Sequence, residues 1–194
     1  MKKIVVLASL VSIGFLIQSC FDGNNNQTKS HSISKEQSIE RGKYLVKITG
    51  CGDCHSPKKM GPMGPFEDSA QLLSGFRAND ILPEIDTNSL KRGWALFYAE
   101  GTAMVSPAGT AYAANITSDT TGIGAWSFNQ FKIAMTLGKW KGLENNRHLL
   151  PPMPWQNFAQ MKEEDLRAIY DYLMSTKPVK NLVPSAVPSV LQQL

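Results

Sequence analysis

Three things are scarce in this chain: cysteine, an excess of either charge, and long apolar runs. Only three cysteines occur among 194 residues. Two of them, Cys51 and Cys54, fall in one short motif, so none is left to build a disulfide framework. The charges nearly balance, 20 basic against 16 acidic residues. That excludes the uniform positive field on which sequence-independent nucleic-acid binding rests, so no nucleic-acid partner is expected. Hydrophobic residues make up 42%, enough to bury a core and too many for a disordered chain. The length suits one domain with tails.

The one extended apolar run, Ile4 to Ile17, stands at the start behind Lys2 and Lys3. It is short of the roughly 20 residues a membrane span needs, and a polar Asn/Gln stretch follows it. The order basic, apolar, small is that of a secretory signal. Its ending, Ile17-Gln18-Ser19-Cys20, resembles the lipobox of bacterial lipoproteins. The resemblance implies a signal peptide over residues 1–19 and acylation of Cys20, with simple cleavage and a free Cys20 as the alternative. The expected location is outside the cytoplasm, lipid-anchored to a bacterial membrane and facing the periplasm. Residues 20–34 read as a flexible polar tether, with His31 solvated in it. About a dozen such residues span roughly 20 Å.

A folded domain is expected over 35–183, followed by an extended tail over 184–194 that contains Pro184 and Pro188. Ser34 and Gln37 form a capping-box pattern ahead of Ile39, Gly42, Leu45, Val46 and Ile48 at helical spacing. Gly50 can end that helix. Ser127 and Gln130 start a second helix with Phe128, Phe131, Ala134 and Met135 on its apolar face, and Gly138 ends it. A third runs from about Glu163 to Ser175, with three acids at its positive start, and Pro178 stops it. The middle, 56–114, is rich in Gly, Pro, Ser and Thr. Short strands near Leu72–Phe76 and Ala111–Ile116, giving at most a short β-hairpin, and a short helix near Leu90–Ala99 are the readings it allows. The fold class expected is therefore all-α, with a long irregular insertion in the middle.

The chemistry lies in Cys51-Gly52-Asp53-Cys54-His55. Two thiols separated by two residues match the two vinyl groups on one haem edge. The histidine that follows then lies beneath the iron, for which neutral imidazole is a good ligand. Chance would place such a motif in a chain of this composition about once in a thousand. A thioredoxin-like pair shares the spacing, but here the motif follows a helix and no βαβ pattern surrounds it. A structural zinc site usually needs four ligands. With Cys20 committed to lipid, His31 and His148 would have to supply the rest.

The iron's sixth ligand must come from elsewhere, or the position stays open. Among the eight methionines, Met1 is removed with the signal. Met60 and Met63 follow His55 closely, and Met104 lies in the unreadable middle. Met135, Met161 and Met174 lie in or beside helices, where methionine usually fills core. Met153 stands apart in Leu149-Leu150-Pro151-Pro152-Met153-Pro154-Trp155, a loop stiffened by proline on both sides. His148 is its rival, although a plain surface histidine is the ordinary reading. Trp126 and Trp155 invite a hydrogen bond to a haem propionate, against ordinary core packing.

These residues together resemble class I cytochromes c, small all-α shells around haem in which the first and last helices cross. The resemblance implies that Gly42 lets those helices approach, with Ile169 and Tyr172 packing there. A closer likeness is to bacterial cytochromes related to the cytochrome subunits of membrane alcohol and aldehyde dehydrogenases. It is carried by Tyr112-Ala113-Ala114-Asn115-Ile116-Thr117, Thr121-Gly122-Ile123-Gly124-Ala125-Trp126-Ser127, Leu150-Pro151-Pro152-Met153-Pro154-Trp155, Asp165-Leu166 and Tyr172-Leu173. It covers about residues 37–184 and implies one covalently attached haem c with Met153 as axial ligand. The chain departs from that pattern in its long middle, in Lys162 where a Ser or Thr often caps the last helix, and in holding one haem motif where the dehydrogenase subunits generally carry several.

The function implied is one-electron transfer rather than catalysis. Its partners would be redox proteins (a dehydrogenase, an oxidase or another cytochrome), with the lipid anchor keeping it at the membrane. A haem sensor would instead need an open or weakly held sixth position, and a peroxidase a further catalytic constellation that the sequence does not offer. Removing Lys2 and Lys3 leaves 18 basic against 16 acidic residues. Two haem propionates then bring the net charge to about zero, so docking must use local patches. The anchor is tested by detergent partitioning. Wild type should enter the detergent phase, while Cys20→Ser should become soluble or stay unprocessed. An unmodified mature terminus at another residue, seen by mass spectrometry, would overturn the reading.

Overall fold

The computed structural model describes residues 33–187. The expected signal peptide, Cys20, His31 and the expected tether as far as residue 32 therefore lie outside the described residues, as does the tail from 188. The first helix, α1 (Lys35–Ile48), starts as its sequence requires. The Ser34 hydroxyl accepts from the Gln37 N–H at 3.2 Å, and the Gln37 side chain accepts from the Ser34 N–H at 2.8 Å. Its last turn is closed by the Thr49 hydroxyl on the Leu45 carbonyl. Gly50, at φ 70°, then turns the chain left-handed. That reversal starts α2 (Cys51–His55), the turn that carries the motif.

Two long helices complete the shell. In α4 (Phe128–Leu137), Ser127 caps the Gln130 N–H, and Phe131, Ala134 and Met135 are buried. Gly138 ends the helix at φ 61°. In α6 (Glu163–Ser175), Leu166, Ile169 and Leu173 are buried behind an acidic first turn. Lys162 occupies the N-cap without a side-chain cap. The described residues also hold α3 (Thr87–Lys91) and α5 (Trp155–Phe158).

The middle departs from the all-α expectation. Lys58–Gly61 (β1) and Gly64–Glu67 (β2) form an antiparallel hairpin, with Lys58 opposite Glu67. Leu96–Phe97 (β3), Ala103–Ser106 (β4) and Gly109–Tyr112 (β5) form a three-stranded antiparallel sheet in that order. Short segments between glycine turns cannot hold a helix and close their backbone hydrogen bonds as hairpins instead. Gly64 at φ 105° and Gly109 at φ 129° follow the two-residue turns at 62–63 and 107–108 and open β2 and β5.

The strand expected near Leu72–Phe76 does not form, because Leu73 (φ 61°) and Gly75 (φ 78°) break the extended backbone. Two strand-like bonds still join it to the second expected segment: Phe76 N–H to the Ala113 carbonyl at 3.0 Å, and Ile116 N–H to the Leu73 carbonyl at 2.9 Å. The helix expected near Leu90–Ala99 is earlier and shorter. Asp86 caps α3, and Gly93 at φ 89° ends it before the chain enters β3.

α1 crosses α6 at Gly42. A Cβ there would stand 1.9 Å from the Ala168 carbonyl oxygen and 2.8 Å from the Tyr172 Cβ. Tyr172 thus packs at the crossing as the resemblance implies, but the closest neighbour of Gly42 is the Ala168 backbone; Ile169 turns into the core. Polar ties flank the contact. Ser38 donates to Asp171 at 2.7 Å, Lys35 pairs with the same carboxylate, and Arg41 pairs with Asp165 at 2.9 Å. Leu45, Val46, Leu73, Ile123, Phe131, Met135, Phe158, Leu166, Ile169 and Leu173 form one core beneath the crossing.

Gly42→Ala should push the two helices apart. Overpacking of this kind costs about 1–3 kcal/mol or more. Urea titration of the holoprotein should show the midpoint falling accordingly, and an unchanged midpoint would disprove the close approach.

Candidate haem site

Cys51 and Cys54 stand three residues apart on α2, so their thiols share one face of a single turn. Both are free and half-buried. Burial pushes both thiols above the ordinary cysteine range, most plainly for Cys51, where a contact to the Thr49 hydroxyl only partly opposes it. The strands of the described residues pair only antiparallel, so no βαβ unit of the thioredoxin kind surrounds the turn.

His55 ends the turn. Its Nδ1 lies 2.7 Å from the Ala114 carbonyl oxygen. A carbonyl only accepts, so Nδ1 carries the proton and Nε2 is left bare as a ligand atom. Burial lowers the His55 pKa, and the Ala114 bond only partly offsets it. The imidazole is thus held neutral, in one tautomer, with a fixed ring plane.

The Ala114 carbonyl is itself fixed from behind. Gly75 donates its N–H to the His55 carbonyl at 2.7 Å. A Cβ on Gly75 would come within 2.4 Å of the Ala113 carbonyl oxygen and 2.6 Å of the Ala114 carbonyl oxygen. The buried Ser56 hydroxyl accepts from the Leu73 N–H at 3.0 Å. Asn181 donates to the Ser74 and Phe76 carbonyls at 2.7 and 2.8 Å and accepts from Ala78. Asn115, next to Ala114, donates to the Val179 carbonyl at 2.8 Å and accepts from Thr117. Gly75, Asn115 and Asn181 are not recognisable as site residues from sequence. Asn115 lies in a segment that carries the family likeness, but the bonds that tie the three into the site run to distant segments: Gly75 to His55, Asn115 to Val179, and Asn181 to Ser74 and Phe76.

The methionines separate cleanly. Met60 and Met63 are exposed on the β1–β2 hairpin, Met104 is buried in β4, and Met135 is buried in α4. Met153, Met161 and Met174 border the core, as does Cys51. Met174 belongs to α6 and Met161 to the short turn ahead of it, whereas Met153 sits in an irregular loop between Pro152 and Pro154. His148 is exposed and stacks on Trp155 at 5.7 Å, and the Trp155 ring also covers Gly138. Trp126 packs on the core, and its carbonyl accepts from the Tyr170 hydroxyl at 2.7 Å. Both indoles thus have packing roles.

Two neutral thiols on one turn, a bare imidazole nitrogen beside them and half-buried apolar side chains around them fit a haem. Comparison with known proteins agrees. The cytochrome c family model matches residues 39–177, and the chain belongs to that family. Its cofactor is covalently attached haem c, and the matched domain is an electron-transfer module. It is 33% identical over 148 residues to a nicotinate dehydrogenase subunit of Pseudomonas putida, covering 76% of this chain and 9% of that protein. It is 31% identical over 137 residues to the gluconate 2-dehydrogenase cytochrome c subunit of Pantoea cypripedii, covering 70% and 22%. It is 43% identical over 117 residues to the cytochrome c subunit of the quinone alcohol dehydrogenase of Gluconacetobacter polyoxogenes, covering 59% and 24%. The chain thus spans less than a quarter of the length of these relatives.

Gly75→Ala should displace the Ala114 carbonyl and weaken its bond to His55. A hydrogen bond to the far nitrogen strengthens a histidine as a ligand, and a stronger donor favours ferric iron. The reduction potential should therefore rise. Gly93→Ala, with a similar positive φ and nothing within 4 Å, should cost stability but leave the potential alone. Equal potentials in a redox titration of the two variants would refute this role for Gly75.

Proposed function

We propose that this chain is a membrane-tethered, periplasm-facing carrier of single electrons. It holds one haem c through Cys51 and Cys54, with His55 and Met153 as iron ligands. The observation that carries the reading is the His55–Ala114 bond, which leaves one ligand nitrogen bare beside two cysteines on the same turn. Met153 is supported by its place at the border of the core that Cys51 also touches, in a loop braced by prolines. When bound, haem iron held by a nitrogen and a thioether takes up and gives back one electron with little ligand movement. The chain's own part is to hold both side chains still.

The relatives are named as dehydrogenase subunits, and most of them as cytochrome subunits. A dehydrogenase is therefore the proposed electron donor, with an oxidase or another cytochrome as acceptor. Among the described residues no helix is long and apolar enough to cross a membrane. Attachment is proposed to come from lipid on Cys20, with residues 20–34 giving the domain reach.

Spectra of the purified holoprotein test the ligand set. A thioether on ferric iron gives a weak absorption band near the red end of the visible range. Met153→Ala should lose that band, bind carbon monoxide and show a lower potential, while keeping haem through a denaturing gel. His148→Ala should change none of these. A band that survives Met153→Ala would reassign the ligand. Ready carbon monoxide binding by the wild type would favour a sensor. Haem that washes out of the denatured wild type would remove the covalent site altogether.

A further inference from the structure

Lys58 is the first residue of β1, three positions after His55, and its side chain folds back over α2. The ammonium lies 3.0 Å from the Gly52 carbonyl oxygen, 3.0 Å from that of Asp53 and 2.5 Å from that of Ser56. An ammonium has three N–H groups and no acceptor. All three donors are therefore spent on carbonyls in or directly after the turn that carries the cysteines and the histidine. The last carbonyls of a helical turn have no partner within it and carry its negative end. Lys58 bonds carbonyls at this end, and at Gly52 it adds to the bond that the carbonyl already accepts from the Ser56 N–H at 3.0 Å.

The stem is fixed as well. The Lys58 N–H donates to Glu100 at 3.1 Å, and Arg77 donates to the Lys58 carbonyl at 3.4 Å. The nearby acids have other engagements. Glu100 is gripped by Arg77 Nη1 at 2.6 and 2.5 Å, and Asp68 is paired with Lys59 at 2.9 Å. Glu67 sits across the hairpin against Gly52, and Asp53 is exposed on α2. Among the described residues, no carboxylate pairs with the Lys58 ammonium. Exposed lysines move freely in water and are screened. This one is half-buried, and its donors hold it in place.

We propose that Lys58 is a positioning residue that sets the redox potential, clamping the haem-bearing turn and holding a fixed positive charge beside it. The proposal rests on the reading that haem is attached to this turn. A fixed cation disfavours the ferric state, so removing it must lower the potential. At an effective dielectric of about 20, one such charge at ordinary side-chain reach changes the ferric-to-ferrous ratio on the order of tenfold.

The test compares redox titrations of holoprotein carrying Lys58→Met, Lys58→Arg and Lys47→Met, each checked for retained haem on a denaturing gel. Lys47 is an exposed lysine in the last turn of α1. Lys58→Met should raise the ferric-to-ferrous ratio about tenfold at a fixed solution potential, at both low and high salt. Lys58→Arg should restore the wild-type value, and Lys47→Met should change the ratio little. Three results would each overturn the proposal: a Lys58→Met protein that loses only thermal stability, an equal shift in Lys47→Met, or no recovery in Lys58→Arg. Loss of haem from the wild type on the gel would instead refute the attachment itself.

Discussion

The hydrogen bond from His55 Nδ1 to the Ala114 carbonyl, 2.7 Å long, is the contact around which the described chain is organised. It joins two parts of the sequence 59 residues apart. It also requires a carbonyl to be presented to an imidazole at one distance and one angle. Much of the middle of the chain serves that requirement. Gly75 lets the 73–76 loop lie flat on Ala113 and Ala114, and Leu73 adopts a left-handed backbone at φ 61° that a leucine ordinarily avoids. Such strain persists where surrounding contacts over-determine it. Here those contacts are the Ser56 hydroxyl, the Ile116 N–H and the burial of the Leu73 side chain.

Asn115 and Asn181 extend the same logic to the end of the domain. Both are buried, and each side chain is bonded on its donor and acceptor sides. A buried amide left unpaired is costly, so these two fix the 178–181 segment against the loops behind His55. Asn181 lies beyond residues 39–177, the stretch matched by the family model. The chain following the last helix is therefore part of the site's support. The crossing of α1 and α6 at Gly42 supplies the other half, placing α2 at the edge of the core.

How much of this was legible in the sequence depended on the range of the forces. Helices α1, α4 and α6 are set by capping residues and apolar spacing within a few positions, and their bounds fall where Ser34, Gly50, Ser127, Gly138 and Glu163 place them. The grouping of Cys51, Cys54 and His55 on one turn is likewise local. The middle was not legible, because its hairpins depend on pairing between segments and its glycines signal only that a turn occurs. Neither β1–β2 nor the extent of β3–β5 could be read from period, and Leu73 carries no turn signal at all. Asp171 was hidden for the same reason. It is a buried acid on the apolar side of α6, satisfied by Ser38 and Lys35 from more than a hundred residues away.

The two proposed iron ligands are supported in opposite ways, and the difference has a chemical reason. Imidazole has two nitrogens, so its far side can be fixed by a hydrogen bond, and the Ala114 carbonyl does this. A thioether has no second polar atom to hold. Its sulfur can be placed only by packing and by stiffening the backbone that carries it. Met153 sits where both operate: its side chain packs on the core, and Pro151, Pro152 and Pro154 restrict the chain around it. Trp155, the next residue but one, seats its ring on Gly138, where an added Cβ would meet the indole at 2.3 Å. That contact ties the loop to the end of α4. A ligand held by a hydrogen bond and one held by packing would resist movement by different means. An electron carrier needs that resistance on both sides, because ligand motion on each change of charge would slow the transfer.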